Sequence, residues 1–66
     1  MFAARLKKAR DAKGLTQLEL ATSYGWRGST MIGRYEIGMG YPTLAVAVKL
    51  ADILGVSLDW LAGRVG

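Results

Sequence analysis

Cysteine and histidine are both absent from the 66 residues. Disulfide staples are therefore excluded, and a zinc site, built chiefly from those two residue types, is not expected. Proline occurs once, at Pro42, and the five acids, Asp11, Glu19, Glu36, Asp52 and Asp59, are dispersed. The serines and threonines have no histidine base, and no strand leads into a glycine-rich phosphate loop ending in lysine. Catalysis is not expected, and nothing calls for a metal or cofactor. No apolar run approaches the roughly 18 residues of a membrane span, and no charged-then-apolar leader precedes the first helix. The expected location is cytoplasmic, with no membrane partner.

What is present is apolar and basic. A chain of 66 residues is expected to form one domain, 1–66, near the lower size at which folding proceeds without staples. Its stability must come from a hydrophobic fraction of 52%, aided if need be by a second subunit. The net charge of +4 favours an anionic partner. Arg5, Lys7, Lys8, Arg10 and Lys13 crowd the first thirteen residues. That run is either a solvated helix face or a footprint on phosphate.

The stretch from Thr16 to Glu36 organises the rest. Thr16 with Glu19 forms a capping box, which starts a helix with Leu20, Ala21 and Tyr24 on one apolar stripe. Gly25 closes it, since a residue without Cβ enters the left-handed region cheaply. In a second helix beyond the turn, Ile32, Tyr35 and Glu36 share one face, expected to be core. Thr30, Gly33, Arg34 and Ile37 share the opposite, exposed one.

The ordered set Gly14-Leu15-Thr16-Gln17, Glu19-Leu20-Ala21, Gly25, Ile32, Arg34-Tyr35-Glu36, Gly38, Pro42-Thr43-Leu44, Leu50-Ala51 and Leu54 to Leu61 resembles the lambda-repressor and Cro-like helix-turn-helix family of DNA-binding regulators. The resemblance runs from Leu6 to Gly63. It implies an all-α fold, a compact five-helix bundle carrying a helix-turn-helix motif. One residue more than is usual in that family separates the turn glycine from the isoleucine, and it lies within Trp26 to Ser29.

Each candidate residue has a reading from its own chemistry. Arg10 shares a face with Phe2, Leu6 and Ala9, and a buried guanidinium must be paired. Glu36, on the inward face, is its natural partner, and the family resemblance implies the same structural ion pair. Gln17 opens the second helix, where free amides attract phosphate; the resemblance implies a contact to the DNA backbone, and an ordinary solvated residue is the alternative. Trp26 either caps the core between the two helices or stacks beside the groove, and Arg27 is a turn arginine that either grips phosphate or is solvated.

The reading helix is expected from about Ser29 to Ile37. Ser29, Thr30 and Arg34 are the candidates for base edges, Arg34 foremost because its planar fork matches guanine O6 and N7. Gly33 either permits close approach to DNA or is a small surface residue. In the loop Ile37 to Pro42, where the family usually carries Lys or Arg, stand Met39, Gly40 and Tyr41. Phosphate contact there reduces to backbone amides and the Tyr41 hydroxyl, and Ile37, Met39 and Tyr41 are alternatively a subunit contact. Thr43 caps a helix along which Leu44, Ala47, Val48, Leu50, Ala51 and Leu54 run, expected to be the central packing helix; Ser57 caps a last one, Leu58 to Ala62.

Two functions follow. The first is a transcriptional regulator, like a phage repressor or Cro protein, an antitoxin or a restriction controller, that binds double-stranded DNA as a homodimer. The second is a protein-interaction module on the same scaffold. Two surfaces are candidates for the dimer: the Ile37 to Tyr41 loop, and the segment around Trp60 and Leu61.

Overall fold

Five helices make up a computed structural model, which describes residues 1–63. They are α1 (Phe2–Ala12), α2 (Gln17–Tyr24), α3 (Thr30–Glu36), α4 (Leu44–Leu54) and α5 (Leu58–Ala62), and among the described residues there is no strand. α1 lies against α3 and α5, α2 against α3 and α4, and α4 against α5. Every helix contributes a large, fully buried side chain to a shared core: Leu6, Leu20, Ile32, Leu50 and Leu61 in turn. Each such burial stabilises by about 1.5–3 kcal/mol.

The helix boundaries have local causes. The Thr16 hydroxyl accepts from the Glu19 amide at 3.0 Å, and the Glu19 carboxylate accepts from the Thr16 amide at 2.8 Å, so the capping box closes both ways. Thr43 and Ser57 cap α4 and α5 by accepting from the amides of Val46 and Trp60. α2 ends at Gly25, whose φ of 110° lies in the region that disfavours any residue with a Cβ. α1 ends at Ala12, with Lys13 as its C-cap.

Two expectations about the later helices need correction. α4 is not wrapped on all its apolar sides: Leu50, Ala51 and Leu54 are buried, but Leu44 is 71% exposed and Val48 is exposed as well. The cause is length, since five residues of α5 span only ~7.5 Å against ~16 Å for α4. Leu61, part of one of the two segments considered as candidates for the dimer surface, is wholly buried in its own chain. Its neighbour Trp60 is half-buried, with the Arg5 guanidinium 5.1 Å from its ring centroid and Arg5 Nη1 donating to its carbonyl oxygen at 2.9 Å. Leu61 and part of Trp60 are thereby used in internal packing, while Asp59 and Ala62 stay exposed.

Candidate nucleic-acid interface

α3 is a helix of seven residues with sharply different sides. Ile32 and Tyr35 are buried and the Glu36 side chain is 3% exposed, while Thr30, Met31 and Arg34 face solvent. A charge so enclosed needs partners. Glu36 Oε2 accepts from Arg10 Nε at 2.6 Å, and Oε1 accepts from Arg10 Nη2 at 3.1 Å. The geometry is the two-point fork that suits guanidinium and carboxylate. Arg10 Nη1 also donates to the Leu15 carbonyl at 2.7 Å, so one guanidinium fastens α1 to both the next turn and the end of α3. The hydrogen bonds that Arg10 donates to Glu36 hold the Arg10 pKa above the ordinary arginine value, against the opposing effect of burial.

Gln17, half-buried at the start of α2, is engaged within the chain: its Nε2 donates to Glu36 Oε1 at 3.0 Å. α1, α2 and α3 therefore meet on a single carboxylate. No sequence signal distinguishes a glutamine that opens a helix from one that reaches across to a neighbour; the placement depends on how closely α2 and α3 cross at the buried Ala21. Gly33 is likewise shifted from the exposed set to the α2 seam, where a Cβ would lie 3.6 Å from the Gln17 carbonyl oxygen Oε1.

The turn between α2 and α3 is partly packed and partly exposed. Trp26 is half-buried and stacks on Tyr24, the ring centroids 4.1 Å apart, and it packs against the core. Its amide donates to the Ala21 carbonyl at 2.9 Å, which fixes the exit from α2. Arg27 and Gly28 are exposed. Ser29 is the N-cap of α3, but its hydroxyl makes no capping bond. Thr30 and Arg34, one turn apart, stand together on the exposed side.

The basic residues of α1 are largely engaged within the chain. Lys7, itself exposed, pairs with Asp11 at 2.9 Å, Arg5 is held on Trp60 and Arg10 on Glu36, and Lys8 and Lys13 are exposed as well. Lys7 holds the Asp11 carboxyl below its ordinary range. After α3, the Met39 amide donates to the Arg34 carbonyl at 2.9 Å, so the loop is tied to the helix that precedes it. Ile37, Met39 and Tyr41 in that loop are 70%, 58% and 83% exposed. Among the described residues no three His, Cys, Asp or Glu side chains gather where they would hold a metal, and no helix is long and apolar enough to cross a membrane.

Two helices joined at a left-handed glycine, the second with a locked inner side and a polar outer one, define a helix-turn-helix protein of the class that reads DNA. Residues 6–61 match the model of the helix-turn-helix family, and the chain belongs to that family, in its lambda-repressor and Cro-like branch. The family is one of DNA-binding proteins, not enzymes. Among relatives, the chain is 46% identical over 61 residues to the SPbeta prophage-derived HTH-type transcriptional regulator YonR of Bacillus subtilis, covering 92% of this chain and 56% of YonR. It is 42% identical over 60 residues to the cryptic phage CTXphi transcriptional repressor RstR of Vibrio cholerae, covering 91% of this chain and 53% of RstR. The HTH-type transcriptional regulator YqaE of Bacillus subtilis is 38% identical over 61 residues, with 92% and 52% covered. The chain thus spans just over half the length of each of these relatives.

Proposed function

We propose that this chain is a transcriptional regulator in which residues 1–66 act as one domain that reads double-stranded DNA, with α3 in the major groove. The observation that carries the reading is the two-sided α3: Ile32, Tyr35 and Glu36 are fastened inside while Thr30 and Arg34 are presented together outside. Arg34 reads a guanine through its fork, Thr30 offers a methyl or hydroxyl to a neighbouring base, and Ser29 lies at the helix entry. Arg27 contacts phosphate beside the groove. With its side chain turned to Glu36, Gln17 serves the backbone through its own amide at the start of α2.

A single short helix reads only about 4–6 base pairs, so discrimination within a genome requires two half-sites about one DNA turn apart, and hence a homodimer. The mechanism is steric, the bound dimer blocking or recruiting polymerase in the cytoplasm. The relatives named as regulators and as a repressor support this reading.

Selection of binding sites from random duplex DNA at ~0.15 M salt tests it, with Arg34→Ala alongside. The expected product is an inverted repeat that loses preference at one position per half-site in the variant. Absence of any enriched site would overturn the proposal in favour of a protein-interaction role.

A further inference from the structure

A shallow hollow of about 280 Å³ opens where the second half of α1 meets the end of α4 and α5. Most of its lining is apolar, with Ala9 and Ala12 on one side and Leu54, Val56 and Trp60 on the other. Lys8 and Lys13 complete the lining, which contains no acid. At about 100° per residue the order around α1 is Lys8, Ala12, Ala9, Lys13, so the two lysines flank the two alanines. Lys13 Nζ reaches the α4 end of the hollow, 3.9 Å from where a Cβ on Gly55 would stand. Arg5, Lys7 and Arg10 are held by Trp60, Asp11 and Glu36. Lys8 and Lys13 are exposed, and among the described residues neither pairs with a carboxylate.

We propose that this hollow docks an acidic peptide segment of a protein partner, one apolar side chain filling it and flanking Asp or Glu carboxylates pairing with Lys8 and Lys13. The inference goes beyond the reading of DNA and does not rest on it. Charge complementarity names the partner: two uncompensated cations on either side of an apolar hollow match an apolar residue set between acids. The size agrees, being below the ~300–1,000 Å³ of small-molecule pockets and suited to a single side chain. A phosphate backbone would meet the lysines but bring no apolar side chain to cover Leu54, Val56 and Trp60. A second copy presenting the same hollow would gather four ammonium groups, which like-charge repulsion opposes. The hollow also lies off the candidate DNA face. None of its lining comes from α2 or α3, and Lys8 stands ~160° around α1 from Arg10, the residue that reaches α3. The hollow and the exposed side of α3 can therefore be occupied together.

The test is selection of a random-peptide display library against the full chain at ~0.15 M salt. The expected product carries a bulky apolar residue with Asp or Glu on both sides. With that peptide as probe, nuclear magnetic resonance of the full chain should shift the signals of Ala12, Val56 and the Trp60 indole and leave those of Thr30 and Arg34 in place. Lys8→Glu combined with Lys13→Glu is expected to weaken the peptide about tenfold or more. Ala12→Glu, at an exposed position one turn from Lys8, sets an internal carboxylate against that lysine. It acts in the same direction and guards against a double variant that fails to fold. Lys49→Glu, a reversal at an exposed lysine on α4 outside the hollow, should keep peptide affinity within about threefold. Absence of an enriched motif joining acids to an apolar residue would overturn the inference. So would equal binding by the Lys8→Glu, Lys13→Glu chain, or shifts confined to Thr30 and Arg34. Loss of duplex DNA binding in that chain with no peptide enriched would assign the face to nucleic acid instead.

Discussion

Arg10 and Glu36, 26 positions apart in sequence, meet with Nε and Oε2 at 2.6 Å, both side chains at least nine-tenths enclosed. The pair joins the first helix to the last residue of α3. Removing one member strands the other's charge in the interior. Glu36→Ala is expected to cost about 3 kcal/mol, the low end for a broken buried pair, because Arg10 keeps its bonds to the Leu15 carbonyl and Asp11. For a domain this small that is at least ~12 °C of melting temperature. Arg10→Met should also lower stability, and DNA affinity with it, since α3 loses its anchor. The double variant Arg10→Met, Glu36→Ala is expected to lose less than the sum of the two single losses, having no stranded charge. Thermal melts of the four proteins check this, and additive losses would show that the two groups do not act as a pair.

Gly33 offers a cleaner separation of fold from function. It lies inside a helix with ordinary backbone angles, and an added Cβ would make only an ordinary contact with Gln17. Glycine in a helix interior costs up to about 1 kcal/mol relative to alanine. Gly33→Ala should therefore raise the melting temperature by ~2–8 °C. Because Gly33 faces the α2 seam, DNA affinity is expected to change by less than about twofold. Titration of a selected site settles the second half: a large loss of affinity alongside a stabilised fold would place Gly33 against the DNA.

Alkaline pH probes the underside of α3. Burial pushes the Tyr35 hydroxyl above the ordinary tyrosine range, and Tyr24 adds to the effect. A group that holds its proton more tightly when folded contributes stability that is fully present below its unfolded pKa of about 10. That contribution is lost as pH rises through the higher folded value. Wild type should therefore lose melting temperature more steeply than Tyr35→Phe above about pH 10. Parallel curves for the two would mean that Tyr35 is as well solvated folded as unfolded.

Much of this architecture was legible because its causes are local. Thr16 with Glu19, Thr43, Ser57 and the glycines that follow the helices act within a turn of where they stand, so the five helices emerge with boundaries within a residue or two. The two faces of α3 were equally accessible, since periodicity alone separates Ile32, Tyr35 and Glu36 from Thr30 and Arg34. What escaped depends on how helices cross. Nothing near Gln17 in the chain indicates that its amide reaches Glu36 on another helix, nor that Arg5 lies over Trp60, 55 positions away. Apolar pattern also overstates burial where covering elements are short. Leu44 and Val48 fit the helical stripe of α4, yet α5 is too brief to shelter them, while Leu61 disappears into the core.

The capping arrangement bears on how the chain folds. Thr16, Thr43 and Ser57 each accept from an amide three residues on, and Gly25, Gly55 and Gly63 each turn left-handed directly after a helix. The ends of α2, α4 and α5 are thus specified before any long-range contact forms. Chains governed by such near-neighbour instructions fold in microseconds to milliseconds. For a protein whose Ile37 to Val48 stretch carries no charge to repel other chains, speed shortens the interval in which that stretch is open to aggregation during synthesis.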